Sequence, residues 1–366
     1  MMRTASPDAS AMPVIASLFD NVSLWCPVPL RLHPLGAEEL DRHILTWAHE
    51  HGVLDGPRPP RWNFGFAQAA AGPFFQDEAA IATGILTLWA CLFDDHLDEL
   101  GACPEEVAVL SSEVLRAFVE PDPAPVPEDR WVSAARDVRR RIDRAVAPLD
   151  TLELGHAMGL SHAGWLWKYA MSRPGRKVGV GEYLRMRYLK GGLDVLASLI
   201  GPGAGYRVDP GAFHSPLVRA FTQAALWPAV LVNDVGSLAK EASFDQPNIV
   251  TVLAAEHGIG IPEALLKTME LYERLLGVML ALQKVLQAHE DPAVVRYATE
   301  LPQCVPATVH FTITSARYLP TGDADADTPL TAPSVTITET PLLWDVENLT
   351  PPPYRELAWI WDLARR

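Results

Sequence analysis

The segment at positions 77–100 constrains the fold more than any other part of this 366-residue chain. It reads DEAAIATGILTLWACLFDDHLDEL: after its opening acidic pair it is apolar nearly all round, until four acids crowd its end. A helix that is apolar on every side is buried, because no face of it favours water. The segment therefore predicts a buried core helix whose last turn is strongly acidic.

Helical patterns continue from about residue 20 to about residue 318, with Pro- and Gly-bearing breaks between them. The predicted helices cover 77–100, 105–120, 132–149, 152–172, 181–201, 216–243 and 262–290. The sequence has no internal repeat, and strand-like alternation is scarce before residue 330. We therefore expect an all-α domain of roughly ten helices.

The two ends of the chain differ from its middle. Residues 1–20 are predicted to be a flexible tail, and 21–320 the helical domain. Residues 321–366 are predicted to be a C-terminal extension of unknown role. Within it, 334–340 (SVTITET) alternates as a short strand does, and 354–366 has the amphipathic pattern of a terminal helix. That helix is expected either to form part of a lid or to pack on the outside.

Composition and charge exclude several classes of function. A net charge of −15 disfavours nucleic acid and anionic membranes as partners, so an anionic substrate needs a local basic cluster or bound metal. The four cysteines match neither a zinc site nor a disulfide framework. No secretory signal is recognisable, and no stretch reaches the ~18 uncharged apolar residues of a membrane span. These features predict a cytoplasmic protein without stable membrane insertion. They leave the oligomeric state open between a monomer and a homodimer.

The acids at the end of the 77–100 helix form the first candidate site. Asp94 and Asp98 are four residues apart and share a helix face, and Asp95 and Glu99 repeat that spacing one step round. Carboxylates here oppose the helix dipole and repel one another. Divalent cations would reverse both effects, and hard oxygen ligands suit magnesium. The alternative is a solvated acidic helix end, or a loop that caps the next helix.

The second candidate site follows the apolar run AALWPAVLV. Asn233, Ser237 and Glu241 are spaced at i, i+4 and i+8, which aligns three hard oxygen donors along one stripe of a helix. Lys240 is placed to reach a metal-bound anion. The alternative interpretation is the solvent-facing side of an ordinary helix.

Together, the two segments resemble the metal-binding motifs of bacterial class I terpene synthases, DDxx(x)D/E and NDxxSxxxE. The first reads DDHLDE from Asp94, and the second reads NDVGSLAKE from Asn233 and is complete. The resemblance covers about residues 60–320. It implies a single-domain orthogonal helical bundle, the class I terpenoid synthase fold, around a central active-site cavity.

The resemblance also implies roles outside the two motifs. The diphosphate-sensing arginine of the family is expected 46 positions before Asn233, where Arg187 stands. Gly191 matches the residue at a helix break whose carbonyl faces the substrate. Arg317 and Tyr318 match the family's diphosphate-gripping pair.

Three positions depart from the family's pattern, and one of them is His96, which is unusual within the first motif. Phe311 stands where a Trp often precedes the Arg-Tyr pair, and Lys190 stands where an acid or a small polar residue is frequent.

The implied activity is magnesium-dependent ionisation of a linear isoprenoid diphosphate, followed by cyclisation of the carbocation. Three Mg²⁺ ions are expected, with Mn²⁺ as a substitute. The expected metal ligands are Asp94, Asp95, Asp98, Asn233, Ser237 and Glu241. The expected diphosphate-binding donors are Arg187, Lys240, Arg317 and Tyr318. Farnesyl diphosphate is the first choice of substrate and geranylgeranyl diphosphate the second.

Aromatic side chains are candidates for stabilising the carbocation through cation–π attraction, with core packing as the alternative for each. The predicted pocket residues are Phe64, Phe74, Trp89, Phe93, Trp227 and Phe311. Three other functions remain open at this point: a chain-elongating prenyltransferase, a non-catalytic helical scaffold, and a decayed cyclase that binds diphosphate without turnover. A prenyltransferase would normally carry a second Asp-rich motif in place of NDVGSLAKE.

Overall fold

The computed structural model describes residues 23–55, 62–100, 104–120, 129–146, 151–171, 175–243, 246–318 and 336–365. These residues form fifteen α-helices and two short strands. The elements are β1 (Ser23–Trp25), α1 (Gly36–Glu50), α2 (Phe64–Ala71), α3 (Asp77–Leu100), α4 (Pro104–Val119), α5 (Arg130–Ala145), α6 (Thr151–Met171), α7 (Val180–Lys190), α8 (Leu193–Gly203), α9 (Pro210–Phe213), α10 (Pro216–Ser243), α11 (Ile249–His257), α12 (Ile261–Gln287), α13 (Pro292–Glu300), α14 (Cys304–Thr314), β2 (Thr336–Thr338) and α15 (Arg355–Ala364). Two 3₁₀ turns, Leu301–Gln303 and Ala316–Tyr318, flank α14.

The all-α prediction is confirmed. Helices α3 and α10, which carry the two candidate motifs, have the predicted bounds. Helix α5 ends at Ala145, four residues earlier than predicted. The described residues hold more helices than the roughly ten expected, because six helices had no predicted bounds: α1, α2, α9, α11, α13 and α14.

The single helix predicted over 181–201 is divided into α7 and α8. Gly191 ends α7, and Gly192 precedes α8 with a φ of 65°. That left-handed conformation costs a glycine little and is strained for other residues, so the Gly191–Gly192 pair permits the break. Both glycines line the central cavity, and the role of the Gly191 carbonyl stays a prediction.

Helix α3 runs through the core, and its side chains Trp89, Phe93 and Leu97 are fully buried. Among the described residues, α3 is the one helix long and apolar enough for a membrane span, and 61% of its most apolar stretch is buried inside the fold. Helices α11 and α12 meet that test only as a pair, and they bend by 115° where they join. The burial of α3 is typical of a core helix.

The described part of the C-terminal segment packs against the helical body. Strand β2 pairs in parallel with β1, with Ser23 opposite Thr336. Helix α15 contacts α7, α10 and α12, and buries Trp361 completely. Its Glu356 accepts a hydrogen bond from Arg185 of α7 at 2.6 Å.

The predicted strand and terminal helix are therefore present. The domain bounds stay a prediction, and residues 1–20 lie outside the described residues.

Candidate active site

A cavity of about 340 Å³ lies between α2, α3, α6, α8, α10 and α14, a size within the range of small-molecule sites. Its wall is mainly apolar, and its polar residues come from both predicted motifs. The predicted residues that line it are Asp94, Asp98, Arg187, Gly191, Asn233, Ser237, Lys240, Glu241, Arg317, Tyr318, Phe64 and Phe311. The structure thus brings residues more than 200 positions apart in the chain into one site.

The acidic end of α3 is neutralised by lysines. The Asp94 carboxylate accepts a hydrogen bond from Lys168 Nζ at 3.0 Å, and its other oxygen lies 3.2 Å from Lys190 Nζ. Asp98 also pairs with Lys168, and it accepts a hydrogen bond from the Tyr169 hydroxyl at 2.8 Å. Burial alone would raise the pKa of Asp94, but attraction to Lys168 and Lys190 outweighs it and holds the pKa well below its usual range.

Asp95 meets a different pair of cations. Its two oxygens accept hydrogen bonds from both terminal nitrogens of Arg317, at 2.6 and 2.8 Å, and Lys240 Nζ lies 2.7 Å away. Burial raises the pKa of Asp95, but Arg317 and Lys240 lower it by more. The bidentate Arg317 contact is the strong geometry for a guanidinium and a carboxylate. Since Lys240 belongs to α10, this cluster joins the ends of the two motif helices.

Hydrogen bonds orient the side chains of the α10 stripe. The Asn233 side-chain oxygen accepts a hydrogen bond from Arg187 at 2.7 Å, and its NH₂ group donates to the Tyr318 hydroxyl at 2.6 Å. Glu241 accepts a hydrogen bond from the Asn248 amide at 2.7 Å. Burial raises the pKa of Glu241, and the attraction of Lys190 offsets this only in part.

Asp234 has a structural role that the sequence indicated only by its place in the NDxxSxxxE motif. It is completely buried, and its two oxygens accept hydrogen bonds from Arg187 Nε and the Tyr183 hydroxyl, both at 2.6 Å. Burial would lower the pKa of Arg187, but the charge of Asp234 raises it, so the guanidinium stays charged. Asp234 and Asn233 together fix the direction of Arg187 into the cavity.

The residues present fit a divalent cation by their donor chemistry. Carboxylates from α3 and an amide, a hydroxyl and a carboxylate from α10 line one cavity, and all of these are hard oxygen donors. Within the described ranges no group of three or more His, Cys, Asp or Glu side chains converges on a common point. The acids of α3 instead contact lysine and arginine side chains.

Two of the predicted pocket aromatics line the cavity. Phe64 and Phe311 pack together there with ring centroids 5.3 Å apart, and Tyr318 lies edge-on to Phe311 at 5.8 Å. Trp165 of α6 also lines the cavity. Aromatic faces in this position can stabilise a cation inside an apolar space.

The other four predicted pocket aromatics, Phe74, Trp89, Phe93 and Trp227, are not among the residues that line the cavity. Trp89 and Phe93 stack at 5.5 Å within the packed core, and Trp227 is buried against Tyr188. Phe74 lies beneath the Arg31 guanidinium, in the connection between α2 and α3. For the three helical residues, Trp89, Phe93 and Trp227, the pocket prediction fails because an apolar helix shows that its side chains are buried without showing which of them face a cavity.

This cavity, with hard oxygen donors and cationic groups at one end and an aromatic-lined apolar interior, defines a metal-dependent cyclase of the class I terpene type. Over residues 86–276, more than half of its length, the chain matches the family described as "Terpene synthase family 2, C-terminal metal binding", and it belongs to that family. The predicted class of enzyme is therefore confirmed, and the prenyltransferase and scaffold alternatives are set aside.

Individual relatives resemble the chain over most of its length. It is 28% identical to tsukubadiene synthase from Streptomyces tsukubensis, over 93% of this chain and 98% of that protein. It is 23% identical to 4-epi-cubebol synthase ((2E,6E)-farnesyl diphosphate cyclizing) from Streptosporangium roseum, over 81% and 91%. The solved structure of the SVS_A2 protein from ancestral sequence reconstruction has the same fold, with a TM-score of 0.75, 23% identity, and coverage of 94% and 100%.

Proposed function

We propose that this terpene cyclase converts farnesyl diphosphate into a cyclic terpene with three Mg²⁺ ions. The observation that carries the proposal is the single cavity that joins both metal-binding motifs to an apolar interior lined by aromatic residues. Asp94, Asp95 and Asp98 are the proposed ligands from α3. Asn233, Ser237 and Glu241 are the proposed ligands from α10.

Leaving-group departure is the step that the cationic end of the cavity favours. Divalent cations, when bound, neutralise the charge that develops on the diphosphate. Arg187 enters the cavity already oriented by Asp234, so it can donate to a diphosphate oxygen without rearranging. Arg317 and Lys240 reach the same end of the cavity, where they now contact Asp95. Tyr318 offers a hydroxyl whose pKa burial raises to about 12, so it stays a donor at neutral pH.

The interior of the cavity suits the cyclisation that follows. Its lining is predominantly apolar, which keeps water away from the carbocation. Phe64, Phe311 and Trp165 border this space and can stabilise a passing cation by ~0.5–2 kcal/mol each. The cation therefore closes on its own alkenes before solvent reaches it.

Farnesyl diphosphate is proposed because 4-epi-cubebol synthase, one of the relatives above, carries that substrate in its name. The motifs bind the diphosphate and do not select the length of the isoprenoid chain, which the depth of the cavity sets. Geranylgeranyl diphosphate is therefore kept as the second choice.

The test is incubation of the pure protein with geranyl, farnesyl and geranylgeranyl diphosphates, with Mg²⁺ and with EDTA, followed by gas chromatography and mass spectrometry. A cyclic product from farnesyl diphosphate that EDTA abolishes would support the proposal. A cyclic product from geranylgeranyl diphosphate alone would overturn the substrate. Activity unaffected by EDTA would overturn the metal requirement. Lys284 is exposed on α12, so Lys284→Met should leave the rate of product formation unchanged and is the control for variants of the active site.

A further inference from the structure

Lys168 of α6 is a buried cation that belongs to neither motif. Its side chain is 3% exposed, and its ammonium group contacts carboxylate oxygens of both Asp94 and Asp98, from a position 74 residues along the chain from Asp94. Burying a lysine is costly unless it is paired, so the two carboxylates and this lysine stabilise one another.

Lys190, at the end of α7, completes the arrangement. It lies 3.2 Å from the second oxygen of Asp94, so both oxygens of that carboxylate meet an ammonium group. Gly164 allows this approach: a Cβ at position 164 would lie 2.3 Å from the Lys190 backbone nitrogen. Lys168 follows Gly164 by four residues, one helical turn along the same face of α6. The close packing of α6 on α7 therefore places two lysines around Asp94.

We infer that Lys168 and Lys190 are positioning residues that hold the Asp94 and Asp98 carboxylates in the metal-free enzyme and give them up when divalent metal binds. This inference rests on the proposed role of Asp94 and Asp98 as metal ligands. The oxygens that these lysines contact are the oxygens that a metal would need, so the two kinds of cation compete for them. Metal binding at α3 then exchanges a lysine ammonium group for a metal ion. At α10, Glu241 accepts its hydrogen bond from the neutral Asn248 amide, so no such exchange is needed there.

The exchange has a consequence for the order of binding. Displaced from the carboxylates, the two ammonium groups need a new anion, and Lys190 lines the cavity in which diphosphate would bind. Diphosphate supplies that negative charge, so metal binding at α3 should be strongest when diphosphate is present. The two lysines thereby make metal uptake depend on the diphosphate group.

The test is a titration with Mn²⁺ of the full-length, substrate-free protein, followed by electron paramagnetic resonance, with and without inorganic diphosphate. Without diphosphate, Lys168→Met should bind Mn²⁺ about tenfold more tightly than the wild type. The ammonium group of Lys168 then no longer competes with Mn²⁺ for the carboxylate oxygens. Lys190→Met should show a smaller gain in the same direction. Lys168→Arg keeps a cation at the site and should stay near the wild-type affinity, as should the surface control Lys284→Met. Adding diphosphate should narrow the gap between Lys168→Met and the wild type.

A purely structural role for Lys168 predicts the opposite sign. If the lysine only keeps the carboxylates in place, Lys168→Met will bind Mn²⁺ as weakly as the wild type or more weakly, and that result overturns the inference. Circular dichroism establishes whether each variant is folded. If Lys168→Met does not fold, Lys190→Met decides by the same criterion.

The inference and the proposed function fail in different ways. A wild-type protein that cyclises no isoprenoid diphosphate contradicts the proposed function, whatever the titration shows. A wild-type protein that is active, with variants that gain no Mn²⁺ affinity, contradicts the exchange alone.

Discussion

Asp94, which is half-buried, and Glu241, which is buried, are carboxylates on the two motif helices, and they differ in their partners. Asp94 contacts the ammonium groups of Lys168 and Lys190, which hold its pKa well below the usual range. Glu241 accepts its hydrogen bond from a neutral amide, and burial raises its pKa. Lysines beside Asp94 stabilise its charged form, whereas the attraction of Lys190 and Arg187 only partly offsets the effect of burial on Glu241.

The difference teaches that one cavity can stabilise the metal-free forms of two metal-binding motifs in two ways. At α3 the fold supplies side-chain cations, which stabilise the metal-free protein. At α10 the fold supplies hydrogen bonds that orient Asn233 and Glu241, and leaves more of the negative charge for a metal to neutralise. Substitutions at the two carboxylates should therefore have the same effect on turnover and different effects on the stability of the metal-free protein.

The largest expected effect is on turnover. Asp94→Asn and Glu241→Gln should each lower the rate of product formation on the order of 10²–10³-fold, because each removes a charged ligand that stabilises the departing diphosphate. The rates are measured by gas chromatography at saturating Mg²⁺, with Lys284→Met as the control. A variant that kept a rate near that of the wild type would remove its residue from the proposed ligand set.

The stability of the metal-free protein should separate the same two variants. At pH 7 the lowered pKa of Asp94 means that its charged form stabilises the fold, so Asp94→Asn should lower the free energy of unfolding by about 3 kcal/mol. The raised pKa of Glu241 means that its charged form is disfavoured, so Glu241→Gln should leave that free energy unchanged or raise it by about 1 kcal/mol. Urea denaturation in EDTA measures both, and equal losses would contradict the comparison.

The motif helices could be predicted from the sequence because their signals are local. An all-apolar run and a stripe at i, i+4 and i+8 depend only on neighbouring residues, and α3 and α10 have the predicted bounds. Arg187 could be predicted because the family keeps a fixed spacing to Asn233, and the structure places the two side chains 2.7 Å apart. The assignment of individual metal ligands stays a prediction.

Lys168 could not be predicted, because nothing near it in the sequence refers to Asp94. Its helix, α6, is largely apolar, and a lone lysine near the end of such a helix is normally read as a favourable charge at the helix C-terminus. Its contact with α3 depends on the crossing of two helices, and that crossing depends on Gly164. The aromatic residues of the cavity were missed in part for a similar reason: tertiary packing, rather than hydrophobicity, decides which buried rings border open space.

Glycine positions in α6 offer a sharper test of how the lysines reach Asp94. A Cβ at position 164 would lie 2.3 Å from the Lys190 nitrogen, so Gly164→Ala must push α6 away from α7 and should lower the free energy of unfolding by about 1–3 kcal/mol. Gly159 lies on the same helix with no atom within 4 Å of an added Cβ. Gly159→Ala should therefore stabilise the protein by about 0.5–1 kcal/mol, through helix propensity.

Thermal or urea unfolding of the two alanine variants measures this contrast, and the Mn²⁺ affinity of Gly164→Ala adds a second readout. Moving α6 away withdraws Lys168 from Asp94, so Gly164→Ala should bind Mn²⁺ more tightly even though it is less stable. A variant that lost stability and Mn²⁺ affinity together would indicate that α6 supports the carboxylates rather than competes for them.

Helix α6 carries a second buried basic side chain, His162, whose pKa shows the effect of burial without a carboxylate partner. Burial lowers the pKa of His162 to about 4, whereas the two acids beside Lys168 raise the pKa of that lysine. The His162 Nδ1 donates to the Met158 carbonyl at 2.8 Å, and within the described residues its Nε2 has no hydrogen-bond partner. A proton on Nε2 would therefore place an unpaired charge in the core, beside Phe93 and Trp165.

A pH-dependent effect follows from this lowered pKa. A histidine whose folded pKa lies below its unfolded value of about 6.5 contributes stability above that value and loses it as the pH falls toward 4. Between pH 7 and pH 5, the wild type should therefore lose about 1–2 kcal/mol more of its free energy of unfolding than His162→Phe, which has no group to titrate there. Urea denaturation at the two pH values measures the difference. If both proteins lose the same free energy of unfolding, protonated His162 is stabilised in the folded protein, and its contrast with Lys168 is contradicted.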